Sequence, residues 1–142
     1  LVVIAIIGVL ASVVLASLNN ARRKSRDARR ITDLKQIQLA LELYFDGQTI
    51  PAYPAALSSL APATGTKFIQ SVPNDPQGGA YKYVKVSDTQ YHVGAVLEEF
   101  NPALNNDADF DSGAAPGFKG ATTDCAATAA TENAERCFDL MP

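Results

Sequence analysis

The sequence predicts an α+β fold, in which one long N-terminal helix is laid against a small antiparallel sheet. Three observations predict it. Residues 1–18 (LVVIAIIGVLASVVLASL) carry no charge and only two serines. Residues 19–46 contain no Pro or Gly, and their apolar side chains return every three or four positions. Residues 81–97 then alternate with a period of two, the signature of half-buried strands.

The 142 residues suffice for one domain in three stretches: an apolar half-helix at 1–18, its amphipathic continuation at 19–45 and a globular head at 46–142. As a helix the first stretch is ~27 Å long, enough to cross a bilayer core. A cleaved secretory signal would have a shorter apolar region followed by a small-residue cleavage site, whereas this run passes straight into charged, helix-favouring sequence. In the second stretch Ile31, Leu34, Ile37, Leu41, Tyr44 and Phe45 share one face, with Arg30, Asp33, Lys35, Gln36 and Glu42 expected on the others. Gly47 is expected to end the helix in a left-handed conformation. Such a helix is ~68 Å long, more than a head of this size can cover, so its first half must project. A helix that is apolar all round needs lipid or copies of itself as solvent.

In the head, a stretch with Pro51, Pro54, Pro62, Pro73 and Pro76 leaves room for one short helix at 55–60. Residues 81–86 (YKYVKV) and 90–97 (QYHVGAVL) form an expected hairpin around Ser87-Asp88-Thr89, with Tyr81, Tyr83 and Tyr91 as cross-strand packing. Residues 101–142 are rich in Gly, Ala, Asn, Asp and Thr and predict loops, with one strand at 137–140.

The run LVVIAIIGVLASVVLASLNNARRKSRDARRITDLKQIQLALELYF resembles the N-terminal helix of type IV pilins and of type II secretion pseudopilins. The match is dense over residues 1–18 and looser to residue 45. The segments IPAYPAALSSL and VPNDPQGGAYKYV resemble the loop and first strand of the major pseudopilin and its pilin relatives. Members of these families begin, after leader cleavage, with a methylated aromatic residue followed closely by a glutamate. The chain starts at Leu1, within the apolar run, so the resemblance places that glutamate two residues ahead of it. Many pilins also carry a helix proline near the position of Ala16, which this chain lacks.

The resemblance implies a subunit that waits in the cytoplasmic membrane, is processed by a prepilin peptidase, and is drawn by assembly machinery into a helical homopolymer. Leu1, Val2, Val3, Ile4, Ile6, Ile7, Gly8, Leu10, Val13, Val14, Leu15 and Leu18 would then form the filament core, with small residues such as Ala5, Gly8 and Ala11 permitting close approach. The first expectation is the main subunit of an extracellular type IV pilus, with adhesion, motility or DNA uptake among its roles. The alternative is a pseudopilin of protein export, favoured by VPNDPQGG and the acidic loop and disfavoured by the cysteine pair. A third reading, from another class, is a single-pass, calcium-dependent binding protein.

The remaining motifs each have a plain reading beside the functional one. Cys125 and Cys137 have no metal-site spacing, and one disulfide is the simpler reading against two free thiols; the pair resembles the C-terminal disulfide loop of many pilins. Asp107, Asp109 and Asp111 offer oxygens at alternate positions, as a calcium loop does. An EF-hand is excluded, because the glycine comes one residue late and Phe118 stands where its last glutamate belongs. The readings left are a calcium loop of another kind, as pseudopilins place after the sheet, and a solvated acidic turn. No other cofactor is called for.

Arg22, Arg23, Lys24, Arg26, Arg29 and Arg30 follow the apolar run. They read as a solvated face that meets lipid head groups before assembly and acidic neighbours afterwards. Nucleic acid is a weaker partner, because no aromatics interleave the cluster. Positive-inside bias alone would put the head in the cytoplasm, and a disulfide opposes that placement. Catalytic signatures are missing: no Gly-x-Ser-x-Gly, phosphate loop or His-Glu-x-x-His occurs. The single histidine, His92, sits mid-strand, where a structural role is expected.

Overall fold

The computed structural model describes residues 1–113, 117–120, 125 and 136–142, with the side chain of Ala16 left out. The rest of the tail, including its Thr-rich run, lies outside the described residues. Helix α1 spans Val2–Asp46 without a break. A 3₁₀ turn at Leu57–Leu60 follows, then strands β1 (Lys82–Ser87), β2 (Gln90–Val96) and β3 (Cys137–Leu140), with a second 3₁₀ turn at Pro102–Asn106 between β2 and β3. The sheet is antiparallel in the order β1-β2-β3. Long helix and small antiparallel sheet together make the α+β arrangement.

The core lies between the head-facing side of α1 and one face of the sheet. Leu34, Ile37 and Leu41 are buried there against Tyr53, Leu60, Tyr91, Val93, Ala95, Leu97 and Phe138, and Ile31, Tyr44 and Phe45 pack on its edge. The tyrosines do more than fill space. Tyr81 donates to Asp33 at 2.7 Å, while Tyr53 and Tyr91 both donate to Glu42, at 2.9 and 3.1 Å. The expectation that Arg30, Asp33 and Glu42 lie away from the core is thereby corrected. Arg30 and Asp33 are buried and Glu42 is half-buried, because phenol hydroxyls and carboxylates of the head reach across to them.

Two local expectations also change. Gly47 does not adopt the left-handed conformation; it ends the helix at φ −80° and ψ −6°, its N–H still donating to Leu43. A Cβ there would lie 3.2 Å from the Phe68 ring, so glycine serves close approach, as Phe68 packs edge-on against Tyr44. The predicted short helix shrinks to the single 3₁₀ turn at Leu57–Leu60 within a proline-rich stretch, where prolines lack the N–H that a longer helix would need.

Candidate functional site

The first feature able to do work is the projecting half of α1. Its 18-residue apolar window is wholly unburied by the rest of the chain and is long and apolar enough to cross a membrane. Leu1, Val2, Val3, Ile4, Ile6, Ile7, Leu10, Val13, Val14, Leu15 and Leu18 are all exposed, and a Cβ on Gly8 would meet nothing within 4 Å. The one polar side chain described within that run before Ser17, Ser12, spends its hydroxyl proton on the Val9 carbonyl at 2.7 Å, which lowers its cost in an apolar medium. An apolar surface of this extent marks an interaction with lipid or protein.

The second feature is a clasp of charged groups where α1 enters the head. Arg30, 2% exposed, directs Nε and Nη2 to the two carboxylate oxygens of Asp75, and Nη1 to Asp27 at 2.7 Å and Glu98 at 3.0 Å. Its Nη2 also donates to Gln77 at 2.9 Å. Arg26 grips Glu98 through two bonds of 2.6 Å, and Arg23 meets Glu99 at 3.1 Å. Asp27, fully enclosed, accepts the backbone N–H groups of Glu98 and Glu99 at 2.9 and 3.0 Å. Hydrogen bonds from Arg26, joined by one from Arg30, hold the Glu98 carboxyl well below the usual range, at about 2.

This arrangement corrects the reading of the basic cluster as a solvated face. Arg23, Arg26 and Arg30 are engaged by the head's own acids, while Arg22, Lys24 and Arg29 remain exposed. Sequence reasoning missed Asp27, Asp75 and Glu98 as partners. The available signal was a lone Asp among six cations, three residues before Arg30, the spacing of a helical pair.

The third feature covers the outer face of the sheet. Fully buried His92 bonds Asp139 through Nε2 at 2.6 Å and Ser112 Oγ through Nδ1 at 2.9 Å, and its ring stacks on Phe118 with centroids 3.8 Å apart. The order serine, histidine, aspartate resembles a hydrolase relay. Here, though, Ser112 Oγ also accepts from the Phe118 N–H and donates to the Phe118 carbonyl, so the array staples a loop to β2. Asp139 accepts further bonds from the N–H groups of Asp109 and Phe110, both at 3.0 Å.

Of the three carboxylates expected around calcium, Asp107 and Asp109 stand together, and Asp139 joins them with ligand atoms within 4.8 Å of one another. Asp111 is placed elsewhere: it pairs with Lys119 at 3.0 Å and accepts from the Gly113 N–H, because the two strands of that loop meet at a bridge between Asp111 and Lys119. Burial raises the Asp107 carboxyl to about 7, and among the described residues its buried Oδ1 has no hydrogen-bond partner. Cys125 and Cys137 are joined in a disulfide beside Phe118, tying the tail to the start of β3.

Comparison with known proteins adds one relative. The chain is 28% identical over 98 residues to the type II secretion system core protein G of Vibrio cholerae, a match covering 62% of this chain and 67% of that protein. No family model and no solved structure matches.

Proposed function

We infer that this chain, whose fold and relative support membership of the pilin and pseudopilin superfamily, is a structural subunit which leaves the membrane to build a helical filament. One observation carries the reading: a helix that holds the head at one end leaves its other end apolar on every side. In lipid that surface is solvated by acyl chains, and in a filament it is solvated by the same segment of neighbouring copies. Exchanging one for the other exposes little apolar area to water. Head-to-tail contacts that do not close extend into fibres.

Two kinds of filament fit, each supported by its own observation. The likeness to a secretion core protein supports a short pseudopilus serving protein export. The disulfide-tied tail, which resembles the C-terminal disulfide loop of many pilins, supports a surface pilus, with adhesion, motility or DNA uptake as its role. Negative-stain microscopy of sheared surface material, with its protein identified by mass spectrometry, separates them. Long fibres made of this chain support the pilus, whereas short fibres with loss of exported protein on deletion support the pseudopilus. A chain confined to the membrane fraction, with neither phenotype, overturns both.

The filament role calls for no cofactor. A divalent cation would fit at Asp107, Asp109 and Asp139, where it would meet the orphaned Oδ1 of Asp107 and offset the carboxylate crowding. Calcium should then raise the thermal midpoint of the head, and Asp107→Asn should abolish the response while leaving the calcium-free midpoint equal or higher. No shift with calcium in the unsubstituted chain would sink this part of the proposal.

A further inference from the structure

We propose that the lower corner of the head, at Phe100, seats on the lipid headgroup layer before assembly, and that the clasp sets its height. Phe100 is 69% exposed, although it directly follows Glu98 and Glu99, which the clasp holds by backbone and side chain. Asp27 fixes the backbone of Glu98 and Glu99, and Arg23 takes the Glu99 carboxylate, so the corner cannot drift along the helix. Arg23 lies five residues past Leu18, the last residue of the apolar run, or ~7.5 Å along the axis. The headgroup layer of a bilayer is ~5–7 Å deep on each side. Asp27, which holds the backbone of the corner, lies nine residues past Leu18, or ~13.5 Å, so the corner stands between the outer edge of that layer and ~6 Å above it, within reach of a phenyl side chain.

The chemistry of the surroundings suits a lipid surface. Arg22 and Lys24 are exposed at the same level of the helix, where phosphates would meet them. An aromatic ring beside cations, just beyond an apolar span, is the composition of an interfacial anchor. Ile50, which is also exposed at 81%, offers the contrast: it follows the far end of α1, whose last residue is ~42 Å from Leu18 along the axis.

The inference rests on the membrane-derived reading above, and the test separates the two. The chain has no tryptophan, so single substitutions report cleanly. The full chain would be reconstituted in phosphatidylcholine vesicles as Phe100→Trp, Ile50→Trp and Val13→Trp, each checked for an unchanged thermal midpoint of the head. Quenching would be read with nitroxide carried on the headgroup or on the acyl chain. The proposal expects Phe100→Trp to be quenched by headgroup nitroxide with blue-shifted emission, Val13→Trp to be quenched by acyl nitroxide, and Ile50→Trp to behave as in water. Tryptophan's own liking for interfaces is shared by the Ile50 variant, which controls for it. If Phe100→Trp behaves like Ile50→Trp while Val13→Trp is quenched, the seating is wrong and the membrane reading stands. If Val13→Trp is unquenched as well, both fall.

Discussion

Replacing Arg30 with methionine should destabilise the head by about 3–5 kcal/mol, the range for removing one partner of a buried ionic network. Five hydrogen bonds disappear, and enclosed Asp27 loses its cationic partner while Asp75 and Glu98 each lose one. Methionine keeps the aliphatic packing, so the loss reports on charge and not on volume. For a head of roughly 100 residues each kcal/mol moves the thermal midpoint by about 4–8 °C, so a fall of at least ~12 °C is expected. Arg30→Lys should recover only part of it, since one ammonium cannot reproduce the two-pronged grip on Asp75. The assay is urea unfolding of the full chain in detergent micelles, followed by tyrosine near-ultraviolet dichroism, which is blind to the stem. Arg22→Met, at an exposed cation of the same helix, should stay within about 0.5 kcal/mol. A loss below ~1 kcal/mol in Arg30→Met would mean that the clasp does not hold stem and head together, and the reasoning fails.

Acid should weaken the same clasp in a defined window. The Glu98 carboxyl is depressed from its ordinary 4.5 to about 2, so its contribution is full above pH 4.5 and is lost as pH falls through 2. The loss is at most on the order of 3 kcal/mol, reduced where water screens the carboxylate, and Glu98→Gln should flatten stability across that interval in acid titrations of the unfolding midpoint. Reducing the Cys125–Cys137 disulfide should cost about 3 kcal/mol by the loop-closure estimate, read as a lower midpoint with reductant, and an unchanged midpoint would contradict its role in holding the tail. Gly94→Ala should cost about 1–3 kcal/mol through overpacking, because its Cβ would stand 2.7 Å from the Phe118 ring that is stacked on His92. Calorimetry of the purified chain would show it, and a neutral result would mean that the ring gives way freely.

The long helix, the hairpin and the short third strand were legible because each announces itself by local periodicity. An unbroken apolar run, apolar steps of three and four from Ile31 to Phe45, and the alternation of YKYVKV need no tertiary information. What periodicity hides is which polar residues turn inward. Asp27 and Arg30 look like solvated helix positions until Asp75 and Glu98, 45 and 68 residues downstream of Arg30, are brought against them. The same blindness applies to Asp139, one acid in CFDLMP, which the sheet order puts beside β2 and so beside His92 and Asp107. Asp111 shows the converse. Regular spacing suggested a shared ligand set, and the loop closed on Lys119 instead.

The central claim is that residues 1–18 trade lipid for copies of themselves. A photoreactive amino acid at Leu10, exposed midway along the stem, tests it in cells when irradiated before shearing. The account predicts a ladder of covalent multimers of this chain in the sheared fraction, with lipid adducts of the monomer in the membrane fraction. Monomer throughout, or cross-links confined to lipid and unrelated proteins, would contradict it.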